Sequence, residues 1–184
     1  MKLDFFDVDK EYIRYLQNSE FDQRGFTCVP NMEYGNREQK FLCGIVLRVN
    51  GFNYYVPVTS YKKQQSENIL IKFKDNPDNP IKGSLRFNYM IPVPDECIHL
   101  RIIANEPSEK RRIFLWKQLK YIQSISDRIY KKAERTYKSV KKGFYPNLRQ
   151  YACDFDLLEQ KCLEYEQVMR ENVESIHIND DWEL

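Results

Sequence analysis

The chain lacks any apolar stretch near the roughly 20 residues that a helix needs to cross a bilayer. Its N-terminus, MKLDFFDVDKEYIRYL, carries acids where a secretory signal has a cationic end and an apolar run. A cytoplasmic location is therefore the expectation. Histidine is scarce: His99 and His177 are the two present, and neither has a partner at metal-ligand spacing. The five cysteines (Cys28, Cys43, Cys97, Cys153, Cys162) are odd in number, scattered and never C-x-x-C. That pattern argues against a disulfide framework and a zinc knuckle, and suggests buried thiols. Six glycines form no P-loop, no G-x-G-x-x-G and no G-x-S-x-G. The C-terminal acids do not pair as a Mg²⁺ site would require. No cofactor or metal is expected, and hydrolysis driven by metal or histidine is disfavoured.

At 184 residues, 42% hydrophobic and 30% charged, the chain suits one soluble α+β domain spanning 1–184. A net charge of +2 hides a separation. From Ser108 to Arg149 there are thirteen Lys or Arg against three acids, Glu109, Asp127 and Glu134. From Asp154 to Leu184 there are ten acids against two bases, including an acidic tail at about 173–184. Either the first segment collects a polyanion, or the two neutralise each other in the fold.

Local patterns suggest the elements. DKEYIRYLQN (9–18) reads as a short helix with Asp9 as its N-cap and Tyr12, Tyr15 and Leu16 on one side. Residues 19–39 are polar and read as a long loop. Phe41–Val49 and Phe52–Val58 are β-rich runs separated by Asn50-Gly51, the dipeptide of type I′ hairpin turns. Further strands are expected at 69–73, 84–93 and 97–103. From Ser108, Leu115, Leu119, Ile122, Ser126 and Ile129 mark a buried helical stripe, with Lys117, Lys120, Ser124, Arg128, Lys131 and Arg135 on another face. Gly143 and Pro146 end it. Asp154 caps a last helix to about Arg170, and the HINDDWEL tail has no clear structure. A mostly antiparallel sheet with helices around it follows.

With metal and histidine set aside, Lys, Ser, Thr and Tyr remain. Such groups can cut RNA, because RNA carries its own nucleophile in the 2′-hydroxyl. Thr59-Ser60 at a strand end, followed by Lys62 and Lys63, suits the holding of a phosphate. From spacing alone the same cluster reads first as a solvated hairpin edge. Lys40, just before an apolar strand, either snorkels to water or points into a cleft.

These residues resemble the ToxN/AbiQ family, toxins of type III toxin–antitoxin systems in which a repetitive RNA is the antitoxin. KEYIRYL (10–16), KFLCGIVLRVNGFNYYVPVTSYKK (40–63), FNYMIPV (87–93) and KRRIFLWKQLKYIQSISDRI (110–129) carry the likeness, with Lys40 nineteen residues before Thr59. The resemblance implies a compact, twisted, mostly antiparallel sheet with helices, related to MazF/Kid toxins. It implies metal-independent cleavage of messenger RNA and of the antitoxin precursor, leaving 2′,3′-cyclic phosphates. Processed antitoxin RNA, folded as pseudoknots, would inhibit the toxin in closed protein–RNA assemblies that serve phage defence or plasmid maintenance.

Carried over by position, Ser60 and Thr59 position RNA, Lys40 and Lys62 stabilise the charged phosphorane, and Tyr12 stacks on or bonds to a base. Tyr34, Lys63, Arg86, Lys117 and Lys120 are the expected RNA contacts. The family's second tyrosine falls by strict spacing on Asn36, with Tyr34 two residues earlier. Rival readings are a non-catalytic RNA-binding module and a protein-binding toxin without nuclease action.

Overall fold

Two β-rich runs on either side of Asn50-Gly51 build the centre of the sheet. The computed structural model describes residues 2–32, 40–143 and 146–180. In it β2 (Leu42–Val49) and β3 (Phe52–Thr59) form an antiparallel hairpin. Asn50 (φ 52°) and Gly51 (φ 85°) both adopt the left-handed backbone that a type I′ turn requires. β1 (Asp4–Val8) pairs with β2, and β7 (Ile98–Leu100) pairs with β1. On the other side β5 (Ile81–Arg86) joins β3, and β4 (Asn68–Lys72) joins β5. The short β6 (Ile91–Pro92) also pairs with β3. The result is a seven-stranded sheet in the order β4-β5-β3-β2-β1-β7, with every recorded pairing antiparallel.

Helices α1 (Lys10–Arg24), α2 (Glu109–Ser124), α3 (Ser126–Lys142), α4 (Pro146–Gln150) and α5 (Phe155–Asp180) surround it, giving the expected α+β architecture. The stripe read from sequence is core: Leu115, Leu119, Ile122 and Ile129 are buried with Phe5, Leu42, Val56 and Leu158. Burying each such side chain contributes roughly 1.5–3 kcal/mol. Four of the cysteines are buried as well, and Cys28 is half-buried. Among the described residues no helix is long and apolar enough to cross a membrane.

Several expectations change. β1 adds a strand that the sequence pattern does not announce. Asp9 sits at the α1 N-cap, but its carboxylate makes no cap bond and instead contacts His99 Nε2 at 2.9 Å. α1 runs on to Arg24 because the buried Glu20 organises its end. The Glu20 carboxylate accepts from Arg24 (2.7 Å), Thr27 (2.8 Å) and the Asp154 amide (2.7 Å), and Gly25 (φ 75°) closes the helix. The expected strand 84–93 splits into β5, a tight turn at Phe87–Tyr89, and β6. The long basic helix breaks at Ile125 (φ −120°, ψ 22°) into α2 and α3. Asp154 Oδ1 does accept from the Leu157 amide at 3.2 Å, as an N-cap should. α5 then continues to Asp180 rather than ending near Arg170.

α3 and α5 neutralise each other only in part. Lys141 pairs with Asp156 and, at 3.1 Å, with Glu159. Glu159 also accepts from the buried Tyr54 (2.8 Å) and Tyr137 (2.6 Å) hydroxyls. Burial, reinforced by the Glu159 charge and hydrogen bond, raises both phenols; Tyr137 reaches about 12.

Candidate active site

Hairpin register brings the two halves of the site together. Leu42 lies across from Pro57, and the Val58 amide donates to the Phe41 carbonyl at 3.1 Å. One residue further, the register sets Lys40 level with Thr59 at the same end of the hairpin. A nineteen-residue sequence spacing thus becomes a short distance across two strands. Lys40 is half-buried as a residue, and its ammonium donates to the Asn31 carbonyl at 2.6 Å.

Thr59 faces inward. It pairs with Ser84 on β5, and its Oγ1 lies 3.2 Å from Ser84 Oγ. Ser84 Oγ in turn donates to the Tyr61 carbonyl at 2.8 Å. β5 can come this close because residue 83 is glycine: a Cβ there would stand 2.5 Å from the Thr59 carbonyl oxygen. Its φ of 144° is also backbone that other residues rarely adopt. The chain on both sides of Ser60 is therefore pinned to β5. Ser60 itself is exposed, and its hydroxyl has no hydrogen-bond partner among the described residues. Lys62 and Lys63 follow, both exposed. The Lys63 carbonyl accepts from the buried Asn68 amide at 2.9 Å, which fixes the far end of the loop.

Other candidates separate. Tyr12 is a correction: it is 0% exposed, and its hydroxyl donates to the Pro92 carbonyl at 2.8 Å. Its ring packs edge-on to Tyr165, with centroids 5.0 Å apart. A side chain with no open surface cannot stack on a base. Lys117 pairs with Asp75 at 2.5 Å beyond the other end of β4 from Asn68. Lys120 is exposed one turn further along α2. Tyr34 and Asn36 lie outside the described residues.

Arg86 is gathered. Its guanidinium lies over the Tyr61 ring (4.9 Å) and the Tyr89 ring (4.2 Å), and it donates to Gln65 Oε1 and Tyr89 OH, each at 3.2 Å. Beyond it opens a cleft of about 860 Å³ whose walls include Lys132 and Arg135 from α3, with Tyr89 and Tyr151. α3 is tied to the Ser60 loop here, because Lys132 donates to the Ser66 carbonyl and Thr136 donates to Glu67 at 2.6 Å. Sequence reasoning missed Lys132, Tyr89 and Tyr151. An unbroken helical period through Ile125 gives no sign of how α3 is rotated relative to α2. Among the described residues no group of three His, Cys, Asp or Glu side chains is placed to hold a metal ion.

Comparison with known proteins gives this geometry a context. Residues 4–163 match the family model described as toxin ToxN of type III toxin–antitoxin systems. The endoribonuclease AbiQ of Lactococcus lactis subsp. lactis is 37% identical over 180 residues, covering 90% of each chain. The endoribonuclease ToxN of Pectobacterium atrosepticum is 33% identical over 165 residues, which is 85% of this chain and 90% of its own. A solved structure of AbiQ, described as a lactococcal anti-phage endoribonuclease, aligns with a TM-score of 0.77 at 30% identity, covering 91% of this chain and 99% of AbiQ. A type III toxin described as selectively inhibited by a non-coding RNA pseudoknot aligns with the same TM-score at 27% identity, covering 90% and 99%.

Proposed function

Because the chain belongs to the ToxN family of type III toxin–antitoxin systems, we propose that it is an endoribonuclease that cuts RNA without a metal ion. The observation that carries this reading is the exposed Ser60 hydroxyl, on a turn pinned to β5, level with Lys40 and followed by two lysines. The RNA's 2′-hydroxyl attacks the adjacent phosphorus, the P–O5′ bond breaks, and the products are a 2′,3′-cyclic phosphate and a 5′-hydroxyl. Ser60 donates to a phosphate oxygen and aligns the reacting linkage. Lys40 and Lys62 stabilise the extra negative charge of the phosphorane. Thr59 acts as a positioning residue, since its hydroxyl is turned to Ser84.

The substrates are messenger RNA and the chain's own repetitive antitoxin transcript. The processed antitoxin RNA is the inhibitor and closes an assembly with the toxin, in phage defence or plasmid maintenance. The whole chain acts as one catalytic unit. Purified protein should cut RNA in the presence of EDTA and leave cyclic-phosphate ends. Ser60→Ala should cut about 100- to 1,000-fold more slowly, the usual loss for one oriented donor to a developing oxyanion, while binding RNA as before. Binding without any cleavage by the wild type would instead make the chain a non-catalytic RNA-binding module.

A further inference from the structure

We infer that the cleft beyond Arg86 is a specificity pocket that takes one unpaired nucleotide of the RNA, with its base stacked on Tyr151. The inference rests on the nuclease reading for the identity of the ligand and adds where that ligand is read. Its volume of about 860 Å³ lies within the range of pockets that enclose small ligands. The charge is one-sided. Among the described residues of the wall, Arg86, Lys132 and Arg135 are the cations, and the single carboxylate, Glu67, is already taken by Thr136. Phosphate suits such a wall, and a carboxylate-poor rim excludes cationic ligands.

Tyr151 supplies the feature that points to a base rather than to phosphate alone. Its side chain is 64% exposed, although the backbone that carries it is held firmly. Buried Asn88 clamps that backbone from both sides: its side-chain amide donates to the Tyr151 carbonyl at 2.5 Å, and its own carbonyl accepts from the Cys153 amide at 2.9 Å. The Tyr151 amide donates to the Leu148 carbonyl at 3.0 Å. A large ring presented to solvent on a fixed backbone costs little ordering on binding, and stacking a base is what such a ring does well. The side-chain amides of Gln65 and Asn147 stand on the same walls and can bond to base edges. Continuity with the cutting site follows from the chain itself. The loop that begins at Ser60 ends at Ser66 and Glu67 on the cleft, and Arg86 spans the two through Tyr61 and Tyr89.

The test uses the full chain and an RNA pool randomised through its central positions. Cut ends are sequenced for the wild type, Tyr151→Ala and Tyr151→Phe. Fluorescence anisotropy gives the affinity of each protein for an uncleavable 2′-O-methyl form of the same pool. Tyr151→Ala should weaken binding about 5- to 150-fold, the usual worth of one base–aromatic stack. It should also flatten the base preference at one position near the cut. Tyr151→Phe keeps the ring and should keep both properties. The exposed position predicts an unchanged Tm for either variant. Wild-type affinity and wild-type preference in Tyr151→Ala would overturn the pocket. The nuclease reading fails separately, if the wild type leaves the pool uncut or Ser60→Ala cuts at the wild-type rate, and the anisotropy still decides the stacking.

Discussion

Tyr12, Tyr54 and Tyr137 form one set, Tyr61, Tyr89 and Tyr151 another, and the two use the same side chain in opposite ways. In the first set every hydroxyl donates inward, to the Pro92 carbonyl or to Glu159, and the rings pack against other aromatics. In the second set the rings surround Arg86 or stand exposed beside a cationic cleft. The first set joins α1, α3 and α5 to the sheet. The second lies where a polyanion can approach. The destination of the hydroxyl, rather than the residue's place on a helix face, separates scaffold from contact surface.

The largest expected break in that comparison is on the scaffold side. Glu159→Ala leaves the Tyr54 and Tyr137 hydroxyls without their acceptor. Since each orphaned buried donor costs roughly 1–3 kcal/mol, stability should fall by about 3 kcal/mol. A chain of this size then loses about 6–12 °C in Tm, read by circular dichroism. RNA affinity, measured where the variant is still folded, should stay at the wild-type value. A loss of affinity without a loss of Tm would blur the two sets.

A smaller effect separates them by pH. An unfolded tyrosine ionises near 10, whereas folded Tyr137 is pushed up to about 12 by burial and by Glu159. Below pH 10 both states keep the proton, and the contribution to stability is complete. Between pH 10 and 12 the unfolded chain releases it while the folded chain holds it, so stability falls as pH rises. Tyr137→Phe should cost about 1 kcal/mol at neutral pH for the lost hydrogen bond. Its denaturant midpoint should then decline less steeply than that of the wild type across pH 10–12. Tyr54, raised for the same reasons, keeps some slope in the variant.

The hairpin was legible because it depends on neighbours in sequence. β-rich composition marks the strands, Asn50-Gly51 sets the turn, and register follows. β1 was not legible, because DFFDV buries little of its own pattern and its partners β2 and β7 lie far along the chain. Tyr12 was misread because a helical period shows that a residue faces something, not whether that something is water or α5. The cleft was the least legible feature. It assembles Arg86 of β5, Lys132 and Arg135 of α3, and Tyr151 after α4. The break at Ile125 that aims α3 carries no glycine or proline to announce it.

The smallest expected effect bears most directly on the cleft. Arg135 is exposed on α3 and lines the cationic wall, so Arg135→Gln should barely change Tm. If its guanidinium meets a phosphate, affinity for single-stranded RNA must become less dependent on salt. Each phosphate contact contributes about 0.7 to the slope of log affinity against log salt for single strands. Arg135→Gln should therefore flatten that slope by about 0.7, measured by anisotropy over a salt titration. Lys161→Gln makes the contrast. That lysine sits on α5 and pairs with Glu164 at 2.6 Å, so its loss should leave the slope unchanged. An equal flattening in both variants would mean that RNA is drawn by net charge alone. A flattening confined to Arg135 would place phosphate in the cleft, because only a local contact releases a counterion at one position and not at another.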